Sequence, residues 1–248
     1  TKDSTNTIGL LLNQTFYQGI LENEFNSFSI KIPFINGLID IELRKHSCYS
    51  DDLQVISKTE EGEEILDINP TFLSYRVFHQ GESIGVMNFV NGKINASFKI
   101  NHKQYEISDY KGDYILFEAT NSINNSNFTC AVNAQSNIIM QAPESSIISS
   151  TPVCIDLAIV IDYYTRVTTG FYTTDQEALN WALAIISGVS QLYAAQTNAE
   201  IQVGHSIIWN TTDPYSQSSC SGILNALSAE WQANHSGISR TLVHLMTQ

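Results

Sequence analysis

The segment Ile155-Asp156-Leu157-Ala158-Ile159-Val160-Ile161 is a mostly apolar run of strand length, and Asp162-Tyr163-Tyr164 follows it directly. A short apolar run of this kind is typical of a strand buried on both faces of a sheet. Further strands are predicted from Ile201 to Trp209 and from Thr241 to Thr247, with a helical pattern between each pair of strands. The order strand–helix–strand favours a βαβ unit with a right-handed crossover.

Local signals place the two helices of this segment. Thr174 and Glu177 form a predicted capping box at the start of the first helix. Its apolar face is predicted from helical spacing at Ala178, Trp181, Ala182, Ile185, Val189 and Leu192. The second helix is predicted from about residue 222 to 232, with Ile223, Leu227 and Trp231 on its buried face.

The chain before this segment has strand patterns almost throughout. Alternating apolar and polar residues recur between turn signals, and Asn91-Gly92 predicts a hairpin because both positions of that turn need a positive φ. Residues 1–120 are therefore predicted to form an all-β sandwich or open barrel, and the Asn/Ser-rich residues 121–152 a linker. With residues 153–248 as an α/β unit on a mixed, mostly parallel sheet, the predicted fold class is α+β.

Composition excludes several classes of function. The 248 residues carry a net charge of −13 and no Lys/Arg cluster, which argues against binding to nucleic acid or to an anionic membrane. The apolar content of 43% is enough for real cores, and no apolar run is long enough to predict a membrane span. The chain lacks a charged-then-apolar leader, so we expect a mature or trimmed product of a secreted protein.

The order of several short motifs resembles the reprolysin (adamalysin-like) group of metzincin zinc peptidases, especially secreted bacterial members. In residues 153–248 the matching motifs are the strand followed by Asp162-Tyr163, Trp209 to Tyr215, and Leu242 to Thr247. In residues 1–120 there is a weaker resemblance to the propeptide of such enzymes, which rests on the segments Ile41 to Lys45, Tyr75 to Gly81, Gly92 to Phe98, and Tyr105 to Ile107.

The resemblance implies a zymogen of a zinc metalloendopeptidase, with a prodomain of residues 1–120 that keeps the catalytic cleft latent. The zinc motif HExxHxxGxxH is absent, so the zinc ligands are expected downstream of Gln248, and this fragment is predicted to be inactive. The expected partners are a protein or peptide substrate and the C-terminal catalytic half. By resemblance the last strand is the sheet edge that binds substrate, and it comprises Leu242, Val243, His244, Leu245 and Met246; an ordinary inner strand is the alternative.

The four cysteines leave several pairings open. Cys130 in the linker is the candidate cysteine switch, whose thiolate would occupy the open position of a catalytic zinc; a disulfide partner or an idle thiol is the alternative. Cys48 is the second candidate for the switch, although its position early in the β-rich part favours a structural role. Cys154 and Cys220 are disulfide candidates for each other, and pairing with cysteines beyond Gln248 is the other possibility.

Two rival functions belong to other classes. A von Willebrand A-like metal site would need hydroxyl ligands after Asp162, where the sequence has tyrosine and arginine at the required positions. A non-catalytic secreted adhesion or binding module, built from a β-sandwich and an α/β unit, is the alternative that the residues leave open. The six histidines form no HxxxH pair, so zinc ligation within this segment is not expected.

Overall fold

A computed structural model describes residues 7–34, 36–119, 153–216 and 219–247. The N-terminal part contains β1 (Thr7–Leu10), α1 (Gln14–Asn23), β2 (Ser27–Phe34), β3 (Gly37–Lys45), β4 (Tyr49–Thr59), β5 (Gly62–Leu66), β6 (Leu73–His79), β7 (Glu82–Val90), β8 (Lys93–Ile100), β9 (Lys103–Tyr110) and β10 (Asp113–Glu118). The C-terminal part contains β11 (Val153–Ile161), a π-helical turn (Tyr164–Thr168), α2 (Asp175–Thr197), β12 (Ala199–Trp209), α3 (Cys220–Asn234) and β13 (Leu242–Met246).

The first sheet is antiparallel and curled. Its strand order is β1-β10-β9-β8-β7-β6-β3-β2, and the two terminal strands, β1 and β2, contact each other. The predicted hairpin at Asn91-Gly92 is confirmed, since both residues have a positive φ and join β7 to β8. The prediction that residues 1–120 are all-β is wrong in one element, because helix α1 lies among them and places Tyr17 and Ile20 in the apolar core on the inner face of this curled sheet.

The second sheet is mixed and carries the α/β unit. Its order is β13-β11-β12-β4-β5; β4 and β12, β12 and β11, and β11 and β13 are parallel, whereas β5 is antiparallel to β4. Helix α2 covers one face and helix α3 the other, as the alternation of buried residues along β11 requires. The α+β class and the predicted order of strands and helices in the C-terminal part are confirmed.

Strands β4 and β5 belong to the second sheet although they lie within residues 1–120. Residues 55–58 of β4 are all buried, because this strand has a neighbour on each side and a helix over each face. The second sheet therefore takes strands from both sides of the predicted linker. This pairing joins residues that are about 150 positions apart, Ser57 and Ile208 among them.

Helix α2 begins as predicted but buries a different set of side chains. Thr174 accepts a hydrogen bond from the Glu177 backbone N–H (3.1 Å) and caps the helix. Leu179, Leu183 and Ile186 are buried, whereas the predicted core positions include Ile185 and Leu192, which are 41% and 58% exposed. That part of the predicted face is wrong because α2 lies between two sheets and is covered on two sides.

Among the described residues, α2 is the one helix whose length and apolar composition would allow it to cross a membrane. Half of its most apolar stretch of 18 residues is buried inside the fold. This burial accounts for its apolar character, since both sheets pack against it.

Candidate functional site

Strand β13 lies at one end of the second sheet. It pairs in parallel with β11, from Leu157 opposite Leu242 to Ile161 opposite Met246. Within the residues that the structure describes, its other side has no strand partner.

The hydrogen bonds of β13 identify the backbone groups at its free side. The Asp162 backbone N–H donates to the Met246 carbonyl (3.3 Å), so Met246 turns its backbone toward β11. In a parallel pair, alternate residues turn both N–H and C=O toward the same neighbour, so His244 shares this direction. Val243 and Leu245 consequently present their N–H and C=O groups to the open edge.

The side chains of β13 alternate between the two faces of the sheet. Met246 is buried in the core beneath α2, while Val243 and Leu245 pack against the core beneath α3. Leu242 is 55% exposed, and His244 also reaches solvent. The desolvation of His244 by the surrounding protein lowers its pKa, so this imidazole is neutral at pH 7.

A small pocket opens beside β13 on the α3 face. It measures about 180 Å³ and is lined by Leu224, Leu227, Ser228, Trp231, Gln232, Arg240 and Val243. The Arg240 guanidinium lies over the Trp231 ring, 4.9 Å from its centroid. The pocket therefore combines an apolar floor with one cation at its side and lies next to the free edge.

The carboxyl ends of β11 and β12 are fixed to each other by Asp213. Its carboxylate accepts the backbone N–H groups of Tyr163 and Tyr215, each at 2.7 Å. Two of the motifs that carry the family resemblance, Asp162-Tyr163 and Asp213-Pro214-Tyr215, thus meet in space. The Asp162 carboxylate is buried and accepts the Thr165 N–H (2.8 Å), which closes the turn after β11.

The π-helical turn and the loop that follows it expose apolar side chains that the sequence pattern did not predict. Tyr164 and Phe171 are 53% and 72% exposed, while Arg166 between them is held by Asp175 (2.6 Å). No pattern in the sequence distinguished this turn from the start of an ordinary helix.

The structure does not bring the candidate disulfide partners together. Cys154 lies at the amino end of β11, and Cys220 begins α3, which follows the carboxyl end of the parallel strand β12. Both are exposed free thiols among the described residues. Cys130, the candidate switch, lies outside the described residues.

Cys48 has the structural environment that its position predicted. Its side chain is fully buried, and the thiol donates a hydrogen bond to the Leu183 carbonyl (3.2 Å). Burial raises the pKa of Cys48 to about 12, so the reactive thiolate is not populated at neutral pH.

The described residues do not form a zinc site. Within the described ranges, no group of three or more His, Cys, Asp or Glu side chains is placed to hold a metal ion. His235 and His244, the pair nearest in sequence, lie after α3 and on β13 respectively. The sequence-based expectation that zinc ligands follow Gln248 is a separate proposal that this part of the chain does not test.

Comparisons with known proteins give a likeness to solved structures but no match of sequence. No family model matches the chain, and no curated protein matches it. Among solved structures, the crystal structure of metalloproteinase-II from Bacteroides fragilis is similar over 89% of this chain and 64% of that chain, with 8% sequence identity and a TM-score of 0.45. The chain thus spans about two thirds of the length of that protein.

Proposed function

We propose that this chain is the N-terminal unit and the first half of the catalytic domain of a secreted zinc metalloendopeptidase. The motifs that resemble metzincins support the proposal, because two of them meet at Asp213 and Tyr163. The observation that carries it is the side of β13 that has no strand partner among the described residues, toward which Val243 and Leu245 turn their backbone groups. An extended peptide is the ligand that such an edge binds.

The edge of β13 would bind a peptide through backbone hydrogen bonds and would select it through contacts with its side chains. A peptide added to β13 would bond to the outward N–H and C=O groups of Val243 and Leu245. Its side chains would alternate between the two faces, as in any strand. On the α3 face they would meet the pocket next to Trp231 and Arg240, and on the α2 face they would meet Leu242 and His244.

No catalytic step is assigned to the described residues. The zinc, its ligands and the base that activates water are expected beyond Gln248 and would supply the hydrolysis of the peptide bond. This chain alone is predicted to bind substrate without cleaving it. In the longer enzyme, residues 1–120 would keep the cleft latent, with Cys130 as the proposed zinc-binding switch.

A second candidate, a non-catalytic secreted binding module, is favoured by one feature. An open groove of about 870 Å³ runs between β7–β8 and α2, lined by apolar Ile185 and Leu192 and by polar Lys99 and Gln104, among others. This groove is larger than the pocket at β13. A binding module would use the groove rather than the strand edge.

The test is peptide binding at β13. A fluorescently labelled peptide of alternating Leu and Ser should bind, and Val243→Pro should abolish binding because proline removes an outward N–H. Proline is tolerated on an edge strand where its nitrogen faces solvent, so the fold should survive. Val243→Thr is the matched control, since it keeps the N–H and the β-branched shape.

Binding that Val243→Pro leaves unchanged would contradict the edge as the substrate site. The same peptide can be added to the protein while amide chemical shifts are followed by NMR. Shift changes confined to residues around Ile185 and Leu192 would instead favour the groove and the binding module. Proteolysis by the purified 248 residues would contradict the prediction that this segment is inactive.

A further inference from the structure

The hairpin formed by β4 and β5 is an internal part of the second sheet rather than an attachment to it. β4 pairs with β12 from Val55 opposite Ser206 to Lys58 opposite Trp209. Backbone hydrogen bonds close both ends of the pairing: Val203 N–H donates to the Cys48 carbonyl and Asn210 N–H to the Lys58 carbonyl, each at 2.8 Å. Without β4, this side of β12 would be an unpaired edge.

Side chains from the N-terminal part complete both cores of the C-terminal part. Cys48, Val55 and Phe72 are at most 4% exposed and pack in the core shared with α2, β11 and β12. Ile56, on the opposite face of β4, packs in the core beneath α3. Burial of apolar surface is the main source of association free energy. The apolar side chains on both faces of β4 are buried in this way.

Helix α2 adds a row of hydrogen bonds to β7 and to the turns that flank the strands of the first sheet. The Asn180 side chain donates to Thr71 Oγ1 (2.9 Å) and to Asn91 Oδ1 (3.1 Å), and it accepts from the Thr71 N–H (3.0 Å). One and three turns further along the helix, the Ala184 carbonyl accepts from Asn88 (3.1 Å) and Gln191 donates to Ser83 (2.7 Å). These bonds fix the orientation of the two parts.

A cluster of charges joins the hairpin to α3. The Lys58 ammonium pairs with Glu63 on β5 and with Glu230 on α3, the latter at 3.4 Å, and lies 5.2 Å from the centroid of the Trp209 ring. The Lys58 side chain is only 10% exposed, so solvent screens this contact weakly. The contact links residues from both sides of the linker.

From these contacts we propose that residues 7–119 and 153–247 remain together as a non-covalent complex when the chain is cut between them. The interaction surface is the β12 edge with the adjoining sides of α2 and α3; its main partner is the β4–β5 hairpin of the same chain, and the residues that bond to α2 from β7 and its flanking turns add to it. Cleavage of the linker alone then leaves the N-terminal part in place. The proposal concerns association only, so it does not depend on peptidase activity.

The test cuts the folded chain at a site for a specific protease inserted between Asn125 and Ser126. After cleavage, size-exclusion chromatography with light scattering in a reducing buffer should give one peak with the mass of both pieces. The reducing agent removes any disulfide as the cause of co-elution. Two separate peaks under these conditions would overturn the proposal.

Two variants of the cut chain locate the contact. Ile56→Asp places a carboxylate in the core beneath α3 and should make the pieces separate at concentrations at which the parent complex elutes as one. Ile65→Asp is the matched control, because Ile65 is the cross-strand neighbour of Ile56 on β5 and is 73% exposed. Equal association of both variants would contradict β4 as the site that holds the pieces together.

Discussion

Replacing His46 with glutamine should remove a defined part of the acid sensitivity of the fold. His46 lies just before β4, next to the pair that Arg76 of β6 forms with Glu200 of β12 (2.8 Å). Burial, and then the charge of Arg76, lower the pKa of His46 to about 4. Among the described residues its buried Nε2 has no hydrogen-bond partner, which agrees with a neutral ring.

The direction of the effect follows from the two pKa values. The unfolded chain takes up a proton at His46 near the ordinary pKa of about 6.5, whereas the folded chain does so only near 4. The stabilisation by neutral His46 is therefore present above pH 6.5 and is lost as the pH falls toward 4. Between pH 7.5 and pH 5 this difference amounts to about 2 kcal/mol.

The assay is urea unfolding followed by tryptophan fluorescence at pH 7.5 and at pH 5. The free energy of unfolding of the parent protein should fall by about 2 kcal/mol more than that of His46→Gln, since other acid-sensitive groups contribute equally to both. His102→Gln, at an exposed turn between β8 and β9, should keep the parental pH dependence. If the parent and His46→Gln lose the same free energy of unfolding between pH 7.5 and pH 5, the conclusion that His46 is buried in its neutral form is refuted.

Two further predictions concern α2 and the thiols. Leu183→Ala should lower the free energy of unfolding by about 2–5 kcal/mol, because Leu183 is fully buried between the two sheets. Leu192→Ala should change this free energy by less than about 0.5 kcal/mol, because Leu192 is exposed. Equal losses of the two variants in urea unfolding would contradict the observed buried face of α2. In the variant Cys130→Ser, the exposed thiols of Cys154 and Cys220 should react with a thiol reagent as soon as it is mixed with the folded protein. Cys48 should react only when the protein unfolds. Fast modification of Cys48 in the folded protein would contradict its burial.

The C-terminal strands and helices could be predicted because their signals are local. The apolar run that ends at Ile161 predicts a buried strand, and Thr174 with Glu177 predicts where α2 begins. A strand–helix–strand connection also fixes which strands are neighbours. For these elements the sequence determines both the type and the order.

The position of β4 could not be predicted because it depends on distant residues. The sequence around Val55 resembles the other strands of the β-rich part, and only β12 and the two helices make all four residues from 55 to 58 buried. The position of α2 between the two sheets explains why its buried face was predicted incorrectly. A single apolar stripe was expected, but Asn180 and Gln191 are also buried, where they make hydrogen bonds.

The candidate site was only partly predictable. The resemblance placed β13 at a sheet edge, but the pocket formed by Trp231 and Arg240 depends on how α3 crosses the sheet. The exposed aromatic side chains of Tyr164 and Phe171 had no signal in the sequence pattern.

The most direct test of the proposed peptidase is the protein sequence that follows Gln248 in the same reading frame. The proposal predicts an HExxHxxGxxH motif within roughly the next hundred residues, where three histidines would bind zinc and the glutamate would act as base. A reading frame without that motif would contradict the metallopeptidase and would favour the binding module.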